Sequence, residues 1–127
     1  MTGQKRILIV DDAALVRLFY RQILEPAGYE IDEALNGLEG LEKHLTRAAD
    51  LLIVDVNMPQ MDGMTFVRTL RRQILPHAGA PVLITSTESG AQDFAAARAA
   101  GANFYLTKPV NRAALLDCAA VLCGEAA

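Results

Sequence analysis

At 127 residues, 52% apolar and with a formal net charge of −3, the chain has material for one hydrophobic core and no room for a second domain. Its 12 Lys and Arg are scattered among 15 Asp and Glu, so the basic stripe of a nucleic-acid binder is missing. Lys5 and Arg6 precede only the short apolar run Ile7 to Val10 before two aspartates, which reads as neither a signal peptide nor a membrane span.

Short β-type runs alternate with longer stretches of helical spacing, the pattern of a parallel sheet covered on both faces. The expected strands are 6–10, 30–34, 51–54, 81–86 and 103–106, with ends good to a few residues. After the first, Val16, Phe19, Tyr20, Ile23 and Leu24 follow the i, i+3, i+4, i+7, i+8 spacing of a helix lying on the sheet, ended by Pro26 and Gly28. Behind Asn36 and Gly37, a second stripe of Leu38, Leu41, Leu45 and Ala48 is expected inside, with Glu39, Glu42 and Lys43 in water. The third helix starts near Asp62 and Gly63, buries Val67, Leu70 and Ile74 and stops before Pro76; Arg68, Arg71 and Arg72 read as its solvated face.

The fourth helix, near residues 91–100, is almost all small residues and is expected to be mobile. The fifth begins after Asn111 as N-cap, with Leu115, Ala119 and Leu122 inward. Its outer side, with Leu116, Ala120 and Val121, has little polar surface, which fits either a helix tucked against a neighbour or a partner face. Cys118 and Cys123 are badly spaced for a local disulfide and point to a reducing cytoplasm. His44 and His77 read as ordinary surface histidines.

Chemistry gathers at the strand ends. Asp11 and Asp12 follow the first strand, Asp55 the third, Ser86 the fourth and Lys108 the fifth. In a parallel sheet those ends share one edge. Ionised carboxylates crowded there repel, each pair costing about 4 kcal/mol at 4 Å and an effective dielectric near 20, so a cation belongs among them. Mg²⁺ suits Asp11, Asp12 and Asp55 and leaves coordination places for phosphate oxygens. Asp55, ending the central run, is then a candidate nucleophile toward phosphorus; Lys108 supplies a fixed positive charge and Ser86 a short donor.

With these residues the chain resembles the receiver domains of two-component response regulators, and the single-domain chemotaxis (CheY-like) regulators in particular. The likeness runs through Ile7 to Asp12, Asp55 to Gly63, Thr85 to Glu88 and Tyr105 to Pro109, and covers essentially the whole chain, 1–127, as one domain. It implies an α/β, doubly wound, five-stranded parallel sheet in the order 2-1-3-4-5 with five helices, the flavodoxin-like arrangement. By the same resemblance a sensor histidine kinase or phosphotransfer protein passes a phosphoryl group to Asp55. Mg²⁺, with Mn²⁺ as a substitute, is then held by Asp12 and Asp55, by Asp11 largely through water, and by the backbone carbonyl of Asn57.

Further implications concern the switch. Ser86 and Lys108 are expected to bind the phosphoryl oxygens, Ser86 and Tyr105 to act as the switch pair, and the peptide before Pro109 to be cis. Tyr105 has a plainer reading as a partly buried strand-edge aromatic. The readout face would be helix 4, strand 5 and helix 5, for a downstream protein or a homodimer. The chain is then a cytoplasmic phosphoacceptor, not an enzyme in the usual sense, with self-phosphorylation from small donors and self-dephosphorylation, and no direct contact with nucleic acid or membrane.

Thr87 and Val110 depart from the family's commonest pattern of a small residue and a phenylalanine, while Asn57 and Glu88 stand where phosphoryl lifetime is set. A dehalogenase-type phosphatase would need an acid where Asn57 stands, and a flavodoxin a phosphate loop where Asp11 and Asp12 would repel it. A receiver that acts without phosphorylation, and a receiver excised from a larger regulator or hybrid kinase, remain as alternatives.

Overall fold

The computed structural model describes residues 4–73 and 77–123. In chain order the elements are β1 (Arg6–Val10), α1 (Ala14–Leu24), β2 (Glu30–Ala34), α2 (Gly37–Thr46), β3 (Leu51–Asp55), α3 (Gly63–Arg71), a short 3₁₀ turn (His77–Gly79), β4 (Val82–Ser86), α4 (Ala91–Ala100), β5 (Phe104–Thr107) and α5 (Arg112–Cys123). Every strand pairing is parallel and the order is β2-β1-β3-β4-β5, as expected from the family resemblance.

Strand pleating divides the apolar runs between two cores. Ile7, Ile9, Leu51, Ile53 and Leu83 pack with Tyr20, Ile23 and Leu24 of α1 and Leu115, Ala119 and Cys123 of α5. Leu8, Val10, Leu52, Val54, Val82 and Ile84 pack on the other face with Phe66, Val67 and Leu70 of α3 and Ala97 and Ala100 of α4. Burial on both faces is why β1, β3 and β4 read as unbroken apolar runs. Since α1 leaves β1 on one face and α3 leaves β3 on the other, the chain opens a cleft at the C-terminal ends of those strands.

Asn36, Asp62 and Asn111 cap their helices as their positions suggest, accepting from the backbone N–H groups of Glu39, Thr65 and Ala114. Helix faces agree less well with the apolar count. In α2 the buried residues are Gly37, Gly40 and His44, while Leu38 is 54% and Leu45 40% exposed and Ala48 lies in the exposed turn beyond the helix. The reason is close approach: a Cβ on Gly40 would lie 2.9 Å from Val10 Cγ2, and one on Gly37 3.0 Å from Met61. This helix docks largely through its backbone: Leu38 and Leu45 rotate outward, while Leu41 packs half-buried against the second core as expected.

In α1 the expected Phe19 is 43% exposed and Arg17 takes an inner place, because its guanidinium is paired with Glu33 and with a backbone carbonyl. Phe66, missing from the expected α3 stripe, is fully buried; the expected burial of Ile74 and the stop before Pro76 fall outside the described residues. On α5, Leu116, Cys118 and Leu122 pack against the first core, and Val121 is the large apolar residue left exposed among the described residues.

Arg71 corrects the solvated-face reading, since only Arg68 and Arg72 of that group are exposed. Its guanidinium donates to the carbonyls of Ala78, Ala80 and Gly101 at 2.6 to 3.0 Å and to Asn103 Oδ1. The end of α3 is thereby tied to the segments entering β4 and β5.

His44 is likewise buried rather than superficial. Nδ1 accepts from the Ala49 N–H at 3.0 Å, so Nε2 carries the proton and donates to the His77 carbonyl, also at 3.0 Å. Burial, more than any neighbour, pushes this imidazole below its ordinary value of 6.5. Below that value the unfolded chain takes up a proton that the folded chain refuses, so His44 withdraws stability as pH falls from about 6.5. The urea midpoint is expected to drop between pH 7.5 and pH 5.5 by less in His44→Gln than in the parent chain. Equal drops would show that His44 is not the group responsible.

Candidate functional site

Four of the five strand ends, those of β1, β3, β4 and β5, deliver the chemical groups of the cleft. Asp11, the residue after β1, is 1% exposed, and its carboxylate accepts from the Ala13 N–H at 2.8 Å. Arg17 Nη1 donates to the Asp11 carbonyl at 2.7 Å, so α1 reaches back to fix the turn that carries both aspartates. Asp12 is exposed at the mouth. Asp55 ends β3 and is 6% exposed. Oxygens from these three carboxylates lie within 4.8 Å of one another, a hard, anionic donor set that could hold a small divalent cation.

Lys108 enters from the loop after β5, across a cis peptide to Pro109. Its Nζ sits 3.1 Å from Asp55 Oδ1 and 3.4 Å from Asp11 Oδ2. Burial raises the pKa of Asp55, with Asp11 adding to the rise and Lys108 and the Asn57 N–H opposing it. For Lys108 burial alone would lower the value, but the hydrogen bond to Asp55 and the charges of Asp11 and Asp55 outweigh it and the net shift is upward. The ammonium is thus kept charged by the group it neutralises.

The loop after Asp55 turns back at once. Gly63 N–H donates to the Val56 carbonyl at 2.8 Å, which seats the start of α3 against the end of β3. Asn57, two residues beyond Asp55, is exposed, and its backbone N–H bonds the Asp55 carboxylate.

Ser86, fully buried, ends β4 beside Asp55's strand; its Oγ accepts from the Glu88 N–H at 3.0 Å. Tyr105 is half-buried on β5, outside the acidic cluster. Its hydroxyl donates to the Glu88 carbonyl at 2.8 Å, and its ring meets Phe94 of α4 edge-on at 4.7 Å between centroids. Glu88 therefore touches both Ser86 and Tyr105 through its backbone.

The structure brings Asp11, Asp12, Asp55 and Lys108 to one place, with Ser86 on the adjoining strand end and Tyr105 one link farther away. Arg17 and Gly63 are the positioning residues that sequence reasoning passes over. A charged residue inside an otherwise apolar helical stripe is the available signal for Arg17; for Gly63 there is none beyond its place after an N-cap.

The family model described as "Response regulator receiver domain" matches residues 7–120. A protein-glutamate methylesterase/protein-glutamine glutaminase of Archaeoglobus fulgidus is 40% identical over 119 residues, which are 91% of this chain but 32% of that protein, so the chain spans about a third of that relative's length. The chemotaxis protein CheY of Thermotoga maritima is 33% identical over 114 residues, covering 89% of this chain and 92% of that one. Among solved structures, chemotaxis protein CheY4 of Vibrio cholerae superposes with a TM-score of 0.88 at 34% identity, covering 94% of this chain and 99% of its own.

Proposed function

The chain belongs to the response regulator receiver domain family, and from that premise we propose that Asp55 is its phosphoryl acceptor, served by a histidine kinase or phosphotransfer protein. One receiver domain accounts for the whole chain on this reading. The observation that carries it is the Asp55 carboxylate, buried beside two further carboxylates and bridged at 3.1 Å by Lys108. Ordinary surface acids have neither the crowding nor the buried cation.

An Asp55 oxygen forms a bond to phosphorus while the bond from phosphorus to the donor's imidazole nitrogen breaks, and the electron pair stays on that nitrogen. Lys108 neutralises the equatorial oxygens of the transferring group, and Ser86 donates its hydroxyl to one of them. Asp11, Asp12, Asp55 and the Asn57 carbonyl would hold Mg²⁺, or Mn²⁺ in its place, which supplies further charge neutralisation when bound. Small phosphodonors serve the same acceptor, and hydrolysis of the acyl phosphate resets it.

The switch proceeds from contacts already present. Ser86 Oγ is tied to the Glu88 N–H and Tyr105 to the Glu88 carbonyl. A phosphoryl oxygen that binds Ser86 better than Glu88 does draws the serine inward and frees the Glu88 backbone, which releases Tyr105 to turn. The face that changes is α4, β5 and α5, where Phe94, Phe104 and Val121 are exposed at 41%, 42% and 71%. Its partner is a downstream protein or a second copy of the chain. Among the described residues no helix is long and apolar enough to cross a membrane.

Incubation with acetyl phosphate and Mg²⁺, followed by intact mass, is expected to show one added phosphoryl group in the parent chain and none in Asp55→Asn. The same modification in Asp55→Asn would remove Asp55 as acceptor. Sizing with and without beryllofluoride tests the dimer; an unchanged monomer counts against it.

A further inference from the structure

Behind the acidic cluster, on the α1/α5 side of the sheet, two hydroxyls occupy an otherwise apolar layer. Tyr20 of α1 is 2% exposed and packs among Ile9, Leu83, Val110 and Leu115. Thr85 is fully buried and pairs directly with Asp55 across β3 and β4. Its Oγ1 has no aligned hydrogen-bond partner among the described residues. Buried polar atoms are normally satisfied, and one left short beside a reactive group calls for a functional reason.

Tyr20 also lines, with Thr87, Lys108 and Pro109, a cavity of about 410 Å³ that opens beside the acidic cluster. An ammonium has three N–H donors. Lys108 finds Asp55 and Asp11 at 3.1 and 3.4 Å, which engage two of them. The Tyr20 hydroxyl faces Thr85 and lies in the field of Lys108, Asp11 and Asp55; burial, the largest influence, raises its pKa and keeps the proton on oxygen. It can therefore accept from one side and donate to the other.

We propose that Tyr20 is a positioning residue for Lys108: its hydroxyl oxygen takes an ammonium N–H when Lys108 turns toward the phosphoryl group, while its own O–H is donated to Thr85. This rests on the reading of Asp55 as acceptor and Lys108 as its counter-charge. Val110, buried and shorter than a phenylalanine, lines the same cavity.

Tyr20→Phe keeps the ring and removes only the hydroxyl. The beryllofluoride dissociation constant is expected to rise about fivefold, the effect of one net hydrogen bond, while Mg²⁺ affinity moves less than about twofold. The ¹⁵Nζ resonance of Lys108 in the beryllofluoride-loaded protein should shift with it. Thr85→Val, which preserves shape and removes the acceptor of the Tyr20 O–H, should weaken beryllofluoride in the same direction. Unchanged beryllofluoride affinity in Tyr20→Phe overturns the proposal, as does a parallel loss of Mg²⁺ binding, which marks a merely structural role. Failure of the parent chain to bind beryllofluoride, or equal binding by Asp55→Asn, instead removes the acceptor reading beneath it.

Discussion

Gly63→Ala is expected to destabilise the fold by about 3 kcal/mol, at the upper end of ordinary overpacking, and to dismantle the proposed phosphoryl site at the same time. A Cβ at this position would stand 2.5 Å from the Asp55 carbonyl oxygen and 2.8 Å from Val56 Cα. Both neighbours are backbone atoms, so no side-chain rotation relieves the clash; either α3 lifts away or the end of β3 shifts. The Gly63 N–H bond to Val56 is stretched in either case. Because Asp55 is the residue displaced, beryllofluoride binding should fall at least about tenfold, equivalent to 1.4 kcal/mol. Gly90→Ala is the matching control, since a Cβ there meets only the movable side chains of Asp93 and Gln92. Urea unfolding and a beryllofluoride titration read the two effects. A Gly63→Ala protein that melts and binds like its parent would show that α3 does not approach β3 this closely.

Arg71→Met should also cost about 3 kcal/mol, but with a different signature: three carbonyls lose a charged donor, at roughly 1 kcal/mol each. The carbonyls of Ala78, Ala80 and Gly101 lie on segments leading into β4 and toward β5, at the sheet edge opposite the acidic cluster. Asn103, which also accepts from the Val82 N–H at 2.9 Å, loses its second tie. Hydrogen exchange should therefore quicken at Val82 and Asn103 while Mg²⁺ and beryllofluoride affinities stay near those of the parent. Arg68→Met, on the exposed side of the same helix, should change stability by less than about 0.5 kcal/mol. Equal unfolding midpoints for the two variants would show that the clamp contributes nothing. A large loss of beryllofluoride affinity would show that it is coupled to the site.

The two variants separate what the arginine and glycine do from what the acidic residues do, and they also mark where sequence reasoning stops. Arg71 reads as solvated because a charge on an amphipathic helix is usually exposed. Its role depends on three carbonyls brought to it by segments elsewhere along the chain. His44 is a parallel case: a histidine four residues after a glycine gives no hint that the helix will turn it inward. Only Val10 and Met61, standing where Cβ atoms on Gly40 and Gly37 would go, explain why α2 docks by its backbone and leaves Leu38 and Leu45 outside.

The sequence by itself determined the strands, their parallel sense and the chemical type of the cleft. A strand covered on both faces must be apolar throughout, so the polar residue that ends each run marks the same sheet edge; that rule finds Asp11, Asp12 and Asp55, while Ser86 and Lys108 each stand one residue past a threonine that closes a shorter apolar run. What the tertiary structure decided is which side of each helix faces in, which cations are bound by distant carbonyls, and that Tyr20 and Thr85 carry hydroxyls to the underside of the site. Those outcomes turn on close packing, which selects among faces of similar hydrophobicity by the space that partners elsewhere in the chain leave open.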